Sequence, residues 1–236
     1  MLPVVIQITM WQKMMERIPN NIFCFVRKAL IFCLPNRSNL HRWKLIDSYE
    51  CSRCKGKETM LHVFNNCPNY LERYKWRHDS ILNLLSNKID RSTNHDSINL
   101  YVDCDKLKYR CTSDLFVSLR PDVVVIIDNK VTVIELTVCF ETNTEKSRSY
   151  KQNRYKALKD QLLIECDDFE LIYLEFTSMG FISKNSFTPF NAFLTRLGIN
   201  ENRTITKCME TAIRATYFIF CRRNKDWNDP ELLSFY

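Results

Sequence analysis

Two groups of residues in this 236-residue chain have the types and spacing to do chemistry. Cys51, Cys54, His62 and Cys67 follow the pattern C-x2-C-x7-H-x4-C. A C-x2-C turn presents two thiolates side by side, and one or two helical turns can bring round an imidazole and a third thiolate. That is the soft tetrahedral set that Zn²⁺ prefers, and four protein ligands make such a site structural rather than hydrolytic. Gly56 eases the turn, and Leu61, Val63 and Phe64 supply an apolar face behind it. The second group is a pair of carboxylates, Asp122 and Glu135, set in an otherwise apolar stretch, RPDVVVIIDNKVTVIELTVC. An acid inside a strand is costly to bury unless something binds it.

The elements around that pair decide whether the two acids can meet. Val123 to Ile127 is a continuous apolar run and Val131 to Cys139 is rich in β-branched residues, so both read as strands. Asp128-Asn129-Lys130 carries turn chemistry. With Asp128-Asn129 as the loop, Asp122 lies opposite Glu135. With Asn129-Lys130 as the loop, Asp122 pairs with Thr137 and Glu135 becomes the diagonal neighbour. Both registers put the acids on one face, with Cβ atoms roughly 5–8 Å apart, while Ile134, Leu136 and Val138 face the core. Only an odd slip would separate the two carboxylates. Converging carboxylates suit a hard divalent cation such as Mg²⁺; an edge hairpin with two solvated acids is the plainer alternative. Asp114 is a candidate third acid that no spacing enforces.

Downstream, a helix is expected from about Glu145 to Leu163, capped by Asn143 or Thr144. It places Lys151 and Tyr155 one turn apart on one face, among Arg148, Arg154, Lys156 and Lys159. Phe169 to Thr177 reads as a further strand, reached by a crossover that should be parallel and right-handed, with Glu175 facing solvent. Upstream, residues 1–46 read as basic helices, one running from Ile22 to Leu34 before Pro35-Asn36. Asn69 to Lys88 is a helix with Tyr74, Ile81, Leu84 and Leu85 inward. His78 is expected to pack or touch phosphate, and His41 to lie at the surface. Residues 90–100 are polar, which makes His95 a solvated loop residue. Asn202 to Lys225 is a helix ending in Arg222, Arg223 and Lys225, a cluster suited to backbone phosphate.

Arg120-Pro121-Asp122, Glu135-Leu136-Thr137-Val138, Phe140-Glu141, Lys151 and Tyr155 resemble, in order, the restriction-like endonuclease of site-specific non-LTR retrotransposon proteins. That domain is a branch of the PD-(D/E)xK nucleases. The superfamily's usual lysine would stand at position 137, where this chain has Thr137; the retrotransposon branch is similar to this chain in carrying it on the next helix. Arg77-His78-Asp79 resembles the run that opens the branch's nuclease, and the Cys-Cys-His-Cys set resembles the zinc motif before it. The likeness extends from near Lys28 to near Gly198.

This resemblance implies an α/β (α+β) fold with a PD-(D/E)xK restriction-endonuclease-like core, a mixed sheet flanked by helices. A helical basic linker (1–46) and a CCHC zinc knuckle (47–70) would precede the nuclease (71–200), and a basic helix and tail (201–236) would follow. It further implies a Mg²⁺-dependent DNA nickase with Asp122 and Glu135 on the metal, assisted by the Leu136 carbonyl, and Lys151 and Tyr155 beside the phosphate. Arg120, Arg148, Arg154, Lys156, Arg222 and Arg223 would contact DNA. Target DNA, and the element's own RNA, would be the partners, in the nucleus. In that family the nick primes reverse transcription; this chain has no room for the polymerase. The alternative is an inactive nucleic-acid-binding zinc module or remnant.

Composition agrees without deciding. A hydrophobic share of 45% excludes wholesale disorder, and 236 residues suffice for a real core. The net charge of +7 suits an anionic partner. The opening MLPVVIQITM lacks a basic leader and a small-residue cleavage site, and no apolar run approaches the ~20 residues of a membrane span. The thiols are therefore expected to be reduced. Cys24, Cys33, Cys104, Cys111, Cys139, Cys166, Cys208 and Cys221 read as small buried hydrophobes.

Overall fold

A four-stranded sheet, ordered β1-β2-β3-β4, carries the carboxylate pair. The computed structural model describes residues 2–92, 98–116, 119–128, 130–157, 160 and 168–234; His95, Lys159, Leu163 and Cys166 lie outside them. Strands β1 (Asn99–Val102), β2 (Val123–Ile127) and β3 (Lys130–Cys139) run antiparallel in turn, and β4 (Asp168–Thr177) lies parallel to β3. Ile127 pairs with Lys130 and Val123 with Ile134, so the first of the two hairpin registers is the one adopted. Asp128 takes a positive φ of 47° to turn the chain, a conformation that Asp tolerates better than most residues. The sheet is mixed, as expected, because the antiparallel hairpin needs only a tight turn while the parallel pair needs the crossover through α5 (Thr144–Arg154).

Each sheet face buries a different set of side chains. Val123, Val125, Ile134, Leu136, Ile172 and Leu174 belong to the main core. Val124, Val133, Tyr101 and Tyr155 form a smaller cluster on the opposite face, the face to which alternation assigns Glu135. The main core is covered by helices α1 (Leu2–Met15), α2 (Asn20–Leu30), α4 (Leu71–Asp90), α6 (Lys184–Arg196) and α7 (Glu201–Cys221). The short α3 (Arg37–Arg42) is capped by the Asn36 side chain, which accepts from Asn39 N at 3.0 Å. No helix among the described residues is long and apolar enough to cross a membrane.

Packing joins the zinc segment to the rest. Phe64 meets Phe25, Phe140 and Phe220, with ring centroids 5.9–6.4 Å apart. Asn65 donates to the Val138 carbonyl at 2.9 Å and accepts from Ser178 Oγ at 2.8 Å. Arg77 is buried and spans Val138 O, Ser178 Oγ and Thr216 Oγ1. Residues 47–70 therefore share one core with the sheet and α7. Gly180 shows how close the approach is: its φ is +78°, and a Cβ there would stand 2.7 Å from the Met209 carbonyl of α7.

Several local expectations are revised. Helix α5 is interrupted by a turn at Tyr155, beyond which residues 156, 157 and 160 are again helical and the rest of the expected helix lies outside the described residues. Asn143 at its N-cap makes no side-chain capping bond. Helix α6 has no counterpart in the sequence reading, because Pro189 interrupts the pattern. Glu175 faces inward at 1% exposure. Among the cysteines, Cys104, Cys139 and Cys208 are buried, but Cys24, Cys33 and Cys221 are exposed and Cys111 is intermediate; their helix faces and loops point away from the core. The tail, by contrast, is ordered along α4. Trp227 stacks edgewise on Trp76, and Trp76 Nε1 donates to the Glu231 carbonyl at 3.0 Å.

Candidate metal centre and carboxylate site

The ligand atoms of Cys51, Cys54, His62 and Cys67 all lie within 4.8 Å of one another. Cys54 Sγ is 3.3 Å from His62 Nε2 and 3.8 Å from Cys67 Sγ. Tetrahedral zinc with bonds of about 2.0–2.3 Å sets its ligands roughly 3.3–3.8 Å apart, so the donor set fits that ion. Local backbone explains the convergence. Lys55 adopts φ 63°, and Cys51 N donates to the Gly56 carbonyl at 2.7 Å, folding the C-x2-C turn back on itself. His62 opens a single π-helical turn (His62–Asn66) that delivers Cys67 to the cluster.

Tyr74 of α4 steadies both ends of that turn. Its hydroxyl accepts from Cys67 N at 3.0 Å and lies 2.9 Å from the His62 carbonyl. Burial pushes the Cys67 thiol up to about 12, and the neighbouring Cys51 and Cys54 sulfurs add to the rise. Burial also lowers the pKa of His62 and so favours the neutral, ligating imidazole. A thiol such as Cys67 that resists ionising alone is what a divalent cation relieves, with release of its proton on binding.

The carboxylate pair sits across the sheet from this cluster's core. Asp122 Oδ2 accepts from Leu136 N at 2.7 Å, and Glu135 Oε1 accepts from Asp122 N at 3.2 Å. The two acids thus brace the hairpin end reciprocally. Lys151 Nζ lies 2.6 Å from Glu135 Oε2 and 3.7 Å from Asp122 Oδ2. Tyr155 donates to the Arg120 carbonyl at 3.0 Å and is buried. The four residues of the expected set are therefore gathered in one place.

His78 joins them. Its Nε2 is 3.3 Å from Asp122 Oδ1, and its Nδ1 is 3.2 Å from Asp79 Oδ1. Packing and phosphate contact, its roles on sequence grounds, miss this placement; the Arg77-His78-Asp79 run was the available signal. Burial disfavours the imidazolium, yet Asp122 and Asp79 overcome it and push His78 up to about 10. Burial likewise opposes ionisation of Asp122, but His78 and Lys151 hold its carboxyl below the ordinary value. Glu135 goes the other way: burial and the Asp122 charge raise it to about 7, against the pull of Lys151. The acids are thus divided into one ionised and one near neutrality.

Other site assignments fare unevenly. Asp114 is exposed on a 3-10 turn, Thr112–Asp114, and among the described residues only the Cys/His cluster groups three or more metal-binding side chains. Arg148 is turned inward, 2.7 Å from Glu175 Oε2 and 3.2 Å from Ser186 Oγ, so its charge is partnered within the fold. Arg223 bonds the Pro35 and Phe220 carbonyls at 2.9 Å each and approaches buried Glu58 at 3.4 Å; it too is a structural cation. Arg222 stacks over Phe218. Arg120 pairs with Asp103 while half exposed. Arg154 and Lys156 are exposed beside Tyr155.

No curated protein matches the sequence. Residues 4–73 match the family described as zinc-binding in reverse transcriptase, and the match takes in all four cluster residues. This part of the chain is similar to the zinc-binding domains of reverse transcriptases, and its four clustered side chains could hold the metal that such a domain binds.

Proposed function

We propose that the chain is a divalent-metal-dependent DNA endonuclease that nicks target DNA, related to non-LTR retrotransposon proteins, with a structural zinc in its N-terminal part. The observation that carries this reading is the placement of Asp122 and Glu135 on one sheet face with the Lys151 ammonium 2.6 Å from Glu135. The reverse-transcriptase type of the zinc domain supports the retroelement connection. Target DNA and the element's RNA are the partners this reading assigns, the nucleus its location, and priming of reverse transcription the use of the nick.

A divalent cation held by Asp122 and Glu135 would supply Lewis acidity toward the phosphate and a more acidic bound water. His78 keeps Asp122 ionised for that purpose. Lys151 offers a positive charge where negative charge develops on the scissile phosphate. Tyr155, anchored on Arg120 O, fixes the end of α5 and with it Lys151.

A second reading has an observation of its own. All four carboxylate oxygens already have partners: His78, Leu136 N, Asp122 N and Lys151. A self-neutralised cluster would equally serve a nucleic-acid-binding module without turnover. Plasmid nicking with Mg²⁺ separates the two. Asp122→Asn and Glu135→Gln should each lower the rate by about 10²–10³-fold or more and Lys151→Ala by a similar factor, with DNA affinity little changed. Nicking that survives in Glu135→Gln rules out the assigned site; a wild-type chain that binds DNA without nicking it establishes the second reading.

A further inference from the structure

A concave surface of about 800 Å³ lies between α1 and the N-terminal half of α7. Lys13 and Arg17 line one wall, and Arg203 and Lys207 the other. The acid in the lining, Glu210, is held by Lys207 at 3.0 Å and by Arg214 at 2.7 Å. Lys13, Arg17 and Arg203 are exposed and have no acidic partner among the described residues. Arg203 is the third residue of α7, where the helix dipole disfavours a cation. Its side chain is nonetheless kept there, facing two further positive charges across a gap. Surface cations ordinarily spread apart or find acids; opposed rows around a hollow concentrate field.

We infer that this cleft binds the phosphodiester backbone of a nucleic acid strand, separately from the carboxylate pair. Met14 in its lining belongs to the main core with Ile134 and Leu136, whereas Glu135 faces the other side of the sheet with Val133 and Tyr155. A strand in the cleft is therefore divided by the sheet from one at Asp122 and Glu135. The polar lining from Asn200, Asn202 and Thr206 offers hydrogen bonds to phosphate and sugar without a pattern for reading bases. The inference rests on the nucleic-acid reading above but not on cleavage.

Salt-dependent binding to the zinc-loaded 236-residue chain tests it, in Mg²⁺-free buffer so that no cutting intervenes. The variant is Lys13→Gln/Arg17→Gln/Arg203→Gln, and the probes are a DNA duplex and a single-stranded RNA of equal length. Each phosphate contact contributes about 0.9 to the log–log salt slope for duplex and about 0.7 for a single strand. The slope should fall by nearly three in the duplex arm or by about two in the RNA arm, and the arm that falls identifies the strand. Affinity in that arm should drop at least tenfold. Unchanged slopes in both arms overturn the inference, as does poly-glutamate competing as well as either probe, which would mark an acidic-polypeptide groove. Because the three cations have no acidic partner among the described residues, the variant should melt with the wild type; if it does not, Lys13→Gln/Arg17→Gln alone should still remove about two-thirds of the change. Loss of nicking in Asp122→Asn with the slope intact would show that the two sites stand or fall independently.

Discussion

At the scale of single residues, charge state decides what the carboxylate site can do. Glu135 is raised to about 7 from an ordinary 4.5, so between those values the folded chain holds a proton the unfolded chain has lost. Stability from this group is complete below about 4.5 and is lost as pH rises to about 7. His78, raised to about 10 from 6.5, repeats the sign in the next window: its contribution is complete below 6.5 and lost on the way to about 10. Asp122, held low, is ionised in both states across these windows and contributes no slope there. Urea unfolding from pH 5 to 9 should show a declining stability. Glu135→Gln should flatten the lower part by about 1–3 kcal/mol, and His78→Gln the upper part. A decline unchanged in both variants would show that these groups do not carry it. Nicking should run opposite to stability, rising through pH 7 as Glu135 ionises.

Elements explain which of these features the sequence discloses. The hairpin is legible because its β-branched runs and turn residues specify both type and register, and the zinc motif because soft ligands at fixed spacing have few other uses. Helix α6 is hidden by Pro189, though Phe187, Phe190, Phe193 and Leu194 all reach the core. Arg148 and Arg223 look like surface cations in sequence, since the acids that neutralise them, Glu175 and Glu58, are 27 and 165 residues away. His78 belongs to a helix far from the hairpin, and only tertiary contact brings it to Asp122. Packing between elements also yields a test. Gly180→Ala adds a methyl 2.7 Å from the Met209 carbonyl at φ +78°, so α7 must shift from the turn. A loss of about 1–3 kcal/mol in urea unfolding is expected; a neutral outcome would mean the turn is looser than this contact implies.

For the whole molecule, continuity of the core is the governing fact. The ligand cluster, the sheet and α7 share side chains from Met14 to Phe220, so metal loss should not be confined to residues 47–70. One equivalent of zinc is expected in the purified chain. Its removal, or Cys51→Ser, should lower the melting temperature of the entire chain in a single transition. Two separate transitions, or a chain that melts unchanged without zinc, would contradict that expectation.

The contact of Phe64 with Phe140 and Phe220 carries a practical corollary. A strong chelator added to quench magnesium chemistry would also strip the buried ion and soften the platform beneath β3, so inactivation would confound two causes. Withholding Mg²⁺ by dialysis should silence cutting reversibly on a still-folded chain, whereas chelation should leave damage that Mg²⁺ alone does not repair and that zinc restores.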